Sequence, residues 1–209
     1  MPCRRIRRPY TGSGAPLPGA DPGRFLWVHT VVDQASPERG LPATVRAEVE
    51  RRRQGLVGRA RGRVLDLDDP QDRAVLVTAL VPGGHEPARP RYDTILVTAQ
   101  LAAWPDLHAA LAALAGMLAD DGSLWVLEPV NHPGAAGLLA SSVGAWLPAN
   151  QGRHLSRDVV ATLRSVGLTV ADLDRFTVAT WMWPLRRWVE ARAVRIPRRS
   201  AAPAAEGSS

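Results

Sequence analysis

Lysine is absent from this 209-residue chain, so its 26 basic residues are all arginine. Cysteine is nearly absent too, and the single Cys3 excludes an internal disulfide and any metal site built from several cysteines. We therefore expect a reducing compartment, the cytoplasm. No run approaches the roughly 20 apolar residues of a membrane-spanning helix, and no His-Glu-x-x-His pattern occurs, so we expect neither membrane insertion nor a bound metal.

The formal net charge of +6 and the sequence pI of about 11.0 raise the question of nucleic-acid binding. However, an absence of lysine beside abundant alanine, glycine and proline is typical of a high-GC genome, which weakens any inference from the charge. The chain has no zinc finger, no RNA-binding aromatic signature and no basic helix with interleaved aromatics. We therefore do not expect nucleic acid to be the partner.

Both ends of the chain differ in composition from its middle. Residues 1–23 are rich in arginine, proline and glycine without hydrophobic periodicity, and residues 197–209 lack apolar content. Segments of this kind cannot bury enough apolar surface to fold. The sequence thus predicts a disordered leader at 1–23, one folded domain at 24–196 and a disordered tail at 197–209.

The clearest pattern in the chain lies between residues 91 and 129. Residues 94–99 are rich in Ile, Val and Thr, which is typical of a short strand buried on both faces. Residues 123–128, SLWVLE, are predicted to form the second strand. The apolar positions of the predicted helix between them are Leu107, Leu111, Leu114 and Leu118. Asp106 is expected to cap this helix, and Asp121-Gly122 to end it.

A strand, a crossover helix and a returning strand form a right-handed parallel unit. We therefore predict an α/β fold with a doubly covered sheet. The carboxyl ends of parallel strands carry function in such sheets, here around residues 98–104 and 128–132.

Further elements are expected on both sides of this unit. A helix is predicted from Pro42 through Arg53, followed by a buried strand at 63–67 and another candidate strand at 74–81. Too few residues separate Asp68 from Asp93 for a complete strand-helix-strand unit, so the sheet should be shortened by about one such unit.

After the central unit, Ser156 is expected to cap a helix that Gly167 ends. Strands at 168–178 and 188–196 should then form an antiparallel pair.

The turn after the first strand is acidic. A nucleotide-binding sheet has glycines here, so that main-chain N–H groups can approach a phosphate. This chain instead has Asp68, Asp69, Pro70, Gln71 and Asp72. The carboxylates would repel phosphate, which argues against a dinucleotide, whereas a cationic or zwitterionic ligand is compatible with the charge.

The segments RVLDL, YDTILVTAQLAAWPDLHAALAALAGMLADDGSLWVLEP and RHLSRDVVATLRSVGL resemble class I S-adenosylmethionine-dependent methyltransferases of the type 11 or ubiquinone-biosynthesis-like group. The resemblance covers roughly residues 42–195. It implies a Rossmann-like doubly wound sheet, S-adenosylmethionine as cofactor and methylation of a small-molecule acceptor. The chain departs from the family where Asp68, Pro70 and Asp72 replace the glycines of the cofactor loop.

The resemblance also implies which residues bind. The cofactor-binding candidates are Asp66, Leu67, Asp68, Thr98, Ala99 and Gln100. Trp104 and Trp181 are candidates for contact with an apolar acceptor, although packing in the core is the more ordinary use of tryptophan. The histidines considered for a general base are His132 and His154, for which hydrogen bonding within a loop is the alternative.

A second interpretation stays open at this point. The lost glycine loop and the shortened sheet also fit a catalytically inactive homologue, retained as a partner-binding or regulatory subunit. Such a protein would expose apolar surface at the shortened sheet edge, through which it could form a homo- or hetero-oligomer.

Overall fold

The structure is a computed structural model, and it describes residues 41–80, 90–101, 104, 106–130, 158–182 and 185–195. The predicted leader and tail, both candidate histidines and the predicted cap Ser156 lie outside the described residues.

Five strands form one mixed sheet. They are β1 (Val64–Asp66), β2 (Tyr92–Thr98), β3 (Leu118–Pro129), β4 (Leu168–Thr177) and β5 (Arg187–Arg195), in the spatial order β1-β2-β3-β5-β4. The first three strands are parallel, and β5 is antiparallel to both of its neighbours. The predicted α/β class, the shortened sheet and the C-terminal antiparallel pair are confirmed.

Helices cover both faces of the sheet. They are α1 (Ala43–Arg59), α2 (Pro70–Leu80), α3 (Leu107–Met117) and α4 (Val159–Ser165). Side chains alternate between the faces of β2, so Ile95 and Val97 pack with α2, α3 and α4, whereas Leu96 packs with α1. Two separate hydrophobic clusters result, one on each face.

Helix α1 follows the predicted pattern. Val45, Val49 and Leu56 are its buried residues, and they belong to one cluster with Leu96 of β2. The helix continues to Arg59, beyond the predicted end at Arg53. The chain then turns at Gly62, where φ is 64° and a Cβ atom would lie 2.1 Å from Asp93 Oδ2, so only glycine fits.

The predicted strand at 74–81 is wrong, because residues 70–80 form α2. Pro70 is its first residue, a position where proline's fixed φ and missing N–H cost nothing. The main-chain carbonyl of Asp69 accepts from Arg73 N at 2.9 Å, and the Asp69 side chain accepts from Gln71 N. Packing of Leu76 and Val77 into the core therefore overrides the β-propensity of this valine-rich run.

The prediction that Asp121-Gly122 ends the central helix is also wrong. Helix α3 begins after its predicted cap Asp106, whose side chain accepts from Ala109 N at 2.9 Å, but it ends at Met117, and β3 begins at once. Gly122 lies inside an irregular part of β3, where its Cβ position is 2.9 Å from Tyr92 O. The glycine is needed because two main chains approach closely here. Its φ is not positive, so a left-handed conformation is not the reason.

The last helix is capped two residues later than expected. The N-cap of α4 is Asp158, which accepts from Ala161 N at 2.9 Å, rather than Ser156. Gly167 adopts φ 83° after the helix and ends it as predicted. The predicted strands at 168–178 and 188–196 are confirmed as β4 and β5.

Candidate functional site

Polar side chains gather at the carboxyl edge of the three parallel strands. Asp66 ends β1, Thr98 ends β2, and Glu128 lies one residue before the end of β3. All three are buried. Since buried polar groups are costly unless they have partners, this edge is where the sheet departs from ordinary core packing.

The acidic turn after β1 uses its carboxylates on its own main chain. Asp66 N donates to Asp72 Oδ2 at 2.8 Å, and Asp68 N donates to Asp66 Oδ1 at 3.1 Å. Gln71 N donates in the same way to Asp69 Oδ1 at 2.9 Å. These N–H groups therefore do not face a phosphate, in agreement with the argument against a dinucleotide.

Arg53 of α1 joins this turn from the other face of the sheet. Its Nη2 donates to Asp66 Oδ2 at 2.6 Å, and its Nε donates to Asp68 Oδ2. The two carboxylate side chains are only 12% and 14% exposed, so the pairing takes place largely out of water. The chain thus supplies its own cation to the acids expected to meet a ligand.

Sequence reasoning missed Arg53, although a signal for it exists. Arg53 follows Val49 by four residues and precedes Leu56 by three, so all three lie on one face of α1. An arginine within an otherwise apolar stripe indicates a buried carboxylate partner.

The turn after β2 is held by the side chains of Gln100 and Glu128, which make four hydrogen bonds. Gln100 Nε2 donates to Leu67 O at 2.7 Å and to Asp68 Oδ1 at 2.8 Å, which joins the ends of β1 and β2. Glu128 Oε1 accepts from Gln100 N at 2.6 Å and from Leu101 N at 2.9 Å. These bonds fix a short turn that contains three of the predicted binding residues.

Ala99 adopts an unusual main-chain conformation within this turn. Its φ is 51°, in the left-handed region that residues with a Cβ seldom enter. Its N–H donates to Leu127 O at 2.8 Å, which helps to hold the conformation. Strain of this kind is concentrated at ligand-binding positions, so Ala99 marks the turn as a candidate site.

Burial and charge act differently on the two partners of the ion pair. Burial raises the pKa of Asp68, and the charge of Arg53 and the hydrogen bond from Gln100 offset part of that rise. Burial would by itself lower the pKa of Arg53, but the charges of Asp66 and Asp68 raise it. Arg53 therefore stays protonated, and Asp68 is the member of the pair whose charge is costly.

A narrow cleft lies between α1 and the ends of β1 and β2. Its lining residues are Leu41, Arg46, Val49, Glu50, Arg53, Asp68, Thr98 and Ala99. Its free volume is about 10 Å³, roughly the space of one water molecule. Thr98, which lines the cleft, and Gln100 each keep a buried oxygen, Oγ1 and Oε1, without a hydrogen-bond partner among the described residues.

The structure thus brings the six predicted cofactor-binding residues together at one edge. It separates the two tryptophans, because Trp104 is 2% exposed in the core beside α3, whereas Trp181 is 80% exposed. Strand β4 runs in the same direction as β3, since both are antiparallel to β5. Trp181, which follows β4, therefore lies at the same edge of the sheet as the cleft.

Two further absences apply to the part of the chain that is described. Within these ranges no three His, Cys, Asp or Glu side chains are grouped as metal ligands would be. None of the helices α1 to α4 combines the length and the hydrophobicity needed to cross a membrane.

No family model matches the chain, and no curated protein matches it. Several solved structures of methyltransferases are similar to it. The N-methyltransferase NodS from Bradyrhizobium japonicum WM9, in complex with S-adenosyl-L-homocysteine, is 16% identical, with a TM-score of 0.49 over 84% of this chain and 99% of that one.

Two other methyltransferases match over shorter stretches. Mitomycin 7-O-methyltransferase MmcR is 20% identical, with a TM-score of 0.37 over 53% of this chain and 32% of its own. Magnesium protoporphyrin IX methyltransferase from Synechocystis PCC 6803 is 18% identical, with a TM-score of 0.35 over 51% of this chain and 46% of its own. The match spans less than half of either enzyme, and the fold class rests on the strand order itself.

Proposed function

We propose that this chain is a methyltransferase-like protein of the class I type, related to the type 11 group, that binds S-adenosylmethionine and methylates a small-molecule acceptor. The observation that carries the proposal is the buried polar cluster at the carboxyl ends of β1 and β2, where Asp66, Asp68, Thr98 and Gln100 lie together.

The chemistry of these groups fits the proposed cofactor. S-adenosylmethionine carries a positive sulfonium and, at neutral pH, a positive ammonium group, and it supplies the methyl group for transfer. Asp66 and Asp68 would hold a cationic group, since carboxylates favour a nearby positive charge. Thr98 Oγ1 and Gln100 Oε1 would orient the ligand through hydrogen bonds. The cofactor is larger than the cleft, so binding requires the cleft to widen.

We further propose that Trp181 contacts the acceptor. Its ring is exposed at the edge where the cofactor would lie, and an exposed aromatic ring offers a large apolar surface to a partner. Trp104 is buried and would instead support the turn after β2 from below.

Titration calorimetry with S-adenosylmethionine and S-adenosylhomocysteine tests the proposal. Thr98→Val keeps the side-chain shape and removes the hydroxyl, so we expect binding to weaken about three- to tenfold, the effect of one hydrogen bond. Thr78→Val on the exposed side of α2 is the matched control and should bind like the original chain. An absence of binding at millimolar ligand would reject the proposal and favour the non-catalytic homologue.

Assembly through the shortened sheet remains a prediction. Strand β1 has three residues and lies at the edge of the sheet formed by the described strands, so it has one side open for pairing. Sedimentation analysis across a range of concentrations would detect such an oligomer.

A further inference from the structure

A guanidinium group of the chain itself already pairs with Asp66 and Asp68, the carboxylates proposed above to hold a cationic ligand group. Arg53 donates through Nη2 to Asp66 and through Nε to Asp68, so a single side chain contacts both carboxylates. It reaches them from α1, which belongs to the other layer of the fold. The contact therefore closes the space between α1 and the strand ends.

The carboxylates require a cation in this position. Asp66 is the last residue of β1 and Asp68 follows two residues later, and both side chains are largely buried. Without Arg53 their charges would repel each other in a partly dry environment. Arg73 is also close, donating to the main-chain oxygens of Leu67 at 3.0 Å and Asp68 at 3.4 Å from beneath the turn.

The surroundings of Arg53 contain a polar group that Arg53 does not satisfy. Thr98 is 3% exposed and lines the same cleft, and its Oγ1 has no hydrogen-bond partner within the described ranges. This hydroxyl is therefore an unused hydrogen-bonding group inside the cleft beside Arg53. With Arg53 in this position, the free space left in the cleft is about that of one water molecule.

We propose that Arg53 is an internal counter-ion that a positively charged ligand group must displace from Asp66 and Asp68, so that Arg53 controls both access to the cleft and its selectivity for cations. This inference rests on the proposed function for the identity of the ligand. Arg53 competes with the cationic group of the ligand for the two carboxylates, whereas Asp66, Asp68 and Thr98 contact the ligand itself.

A second partner for the displaced guanidinium lies one helical turn away. Glu50 Oε2 is 3.9 Å from Arg53 Nη1, and the Glu50 side chain is 39% exposed. A rotation of Arg53 toward Glu50 keeps its charge paired and opens the space beside Asp68. Displacement therefore requires a side-chain movement and no unfolding of α1.

Calorimetry on Arg53→Gln tests the competition. If the displaced form makes up about one tenth of the molecules, removing the guanidinium raises the affinity for S-adenosylmethionine about tenfold. Arg51→Gln is the matched control, because Arg51 lies on the same helix and pairs with Glu48 on the surface. Equal or weaker binding by Arg53→Gln, with the original chain binding, would overturn the inference and leave the proposed function intact.

Chemical rescue tests the same idea without the cofactor. Arg53→Ala leaves a gap of guanidinium size beside two carboxylates, so millimolar methylguanidinium should raise its melting temperature. It should not do so for Arg51→Ala or for Arg53→Ala combined with Asp68→Asn. Failure of rescue would overturn the inference. Rescue without cofactor binding by any variant would instead support a cation site and reject S-adenosylmethionine as its ligand.

Discussion

Arg52 and Arg53 are adjacent in α1 and differ in what surrounds them, although each contacts three carboxylates. These are Glu48, Asp174 and Glu190 for Arg52, and Glu50, Asp66 and Asp68 for Arg53. Arg52 turns toward the antiparallel strands, where its Nη1 lies 2.7 Å from Asp174 and 3.2 Å from Glu190. Its guanidinium also lies 3.5 Å from the centre of the Phe176 ring. Arg53 turns toward the carboxyl ends of the parallel strands.

The ion pairs of Arg52 are part of a larger network, called here the Arg52 network. Glu190 also pairs with Arg59 at 2.5 Å, and Arg59 lies over the ring of Trp125. Asp174, at the outer end, is 60% exposed. This network fastens α1 to the sheet, whereas the Arg53 side retains a buried hydroxyl without a partner, Thr98 Oγ1, among the described residues. The comparison separates a structural contact from a candidate binding site.

The largest effect is expected where the site is most deeply buried. Glu128 is 1% exposed and accepts from two main-chain N–H groups, so Glu128→Ala should lower the free energy of unfolding by about 3 kcal/mol. Glu190→Ala, in the Arg52 network, should lower it by about 1 kcal/mol. Urea unfolding measures the free energy of unfolding of both variants. Equal losses would show that the Glu128 side and the Arg52 network do not differ in their contribution to stability.

The next effect compares the two arginines directly. Arg53→Met should lower the free energy of unfolding by about 2 kcal/mol, because two largely buried carboxylates lose their cation. Arg52→Met should cost about 1 kcal/mol, since one of its partners is well exposed. Arg52→Met should leave cofactor affinity unchanged. A change in affinity with Arg52→Met alone would show that the two sides are coupled.

The pH dependence of stability should have opposite signs on the two sides. Burial raises the pKa of Asp68 above its ordinary value of 3.8. The contribution of Asp68 to the free energy of unfolding is therefore fully present below pH 3.8 and is lost as pH rises through its pKa in the folded state. The hydrogen bond from Arg51 lowers the pKa of Glu48 below 4.5, so its contribution is present above pH 4.5 and is lost as pH falls.

Unfolding measured against pH for Asp68→Asn and Glu48→Gln, each compared with the original chain, isolates the two contributions. The stability advantage of the original chain over Asp68→Asn should shrink as pH rises above 3.8. Its advantage over Glu48→Gln should grow as pH rises toward 4.5. Slopes of the same sign would contradict this assignment.

The smallest effect concerns salt. Raising the ionic strength to about 1 M shortens the screening length to about 3 Å and should weaken the contact of Arg52 with the exposed Asp174 by a few tenths of a kcal/mol. The more buried contacts of Arg53 should change less. The cost of Arg52→Met and of Arg53→Met, each measured at low and at high salt, checks this ordering.

Much of the fold could be predicted because its signals are local. The apolar runs of β1 and β2, the leucine spacing of α3 and the glycine after α4 each act within a few residues. The valine-rich run of α2 is predicted wrongly from the sequence because short apolar segments fit a strand and a buried helix equally well, and only packing against α3 decides between them.

The site could be predicted in part. The carboxyl ends of parallel strands share one edge, so the approach of Asp66, Asp68, Thr98 and Gln100 follows from the fold class. The approach of Arg53 does not, because it depends on which face of the sheet α1 covers and on its position there. The left-handed conformation of Ala99 likewise depends on two hydrogen bonds, which Gln100 N donates to Glu128 Oε1 and Ala99 N donates to Leu127 O.

The sequence by itself determined the α/β class, the parallel unit and the acidic turn, since periodicity, caps and residue types act over short distances. Tertiary structure alone decided that the turn's carboxylates meet Arg53 and that Trp181 is exposed while Trp104 is buried. These outcomes depend on contacts between residues far apart in the chain, and no local preference encodes such contacts.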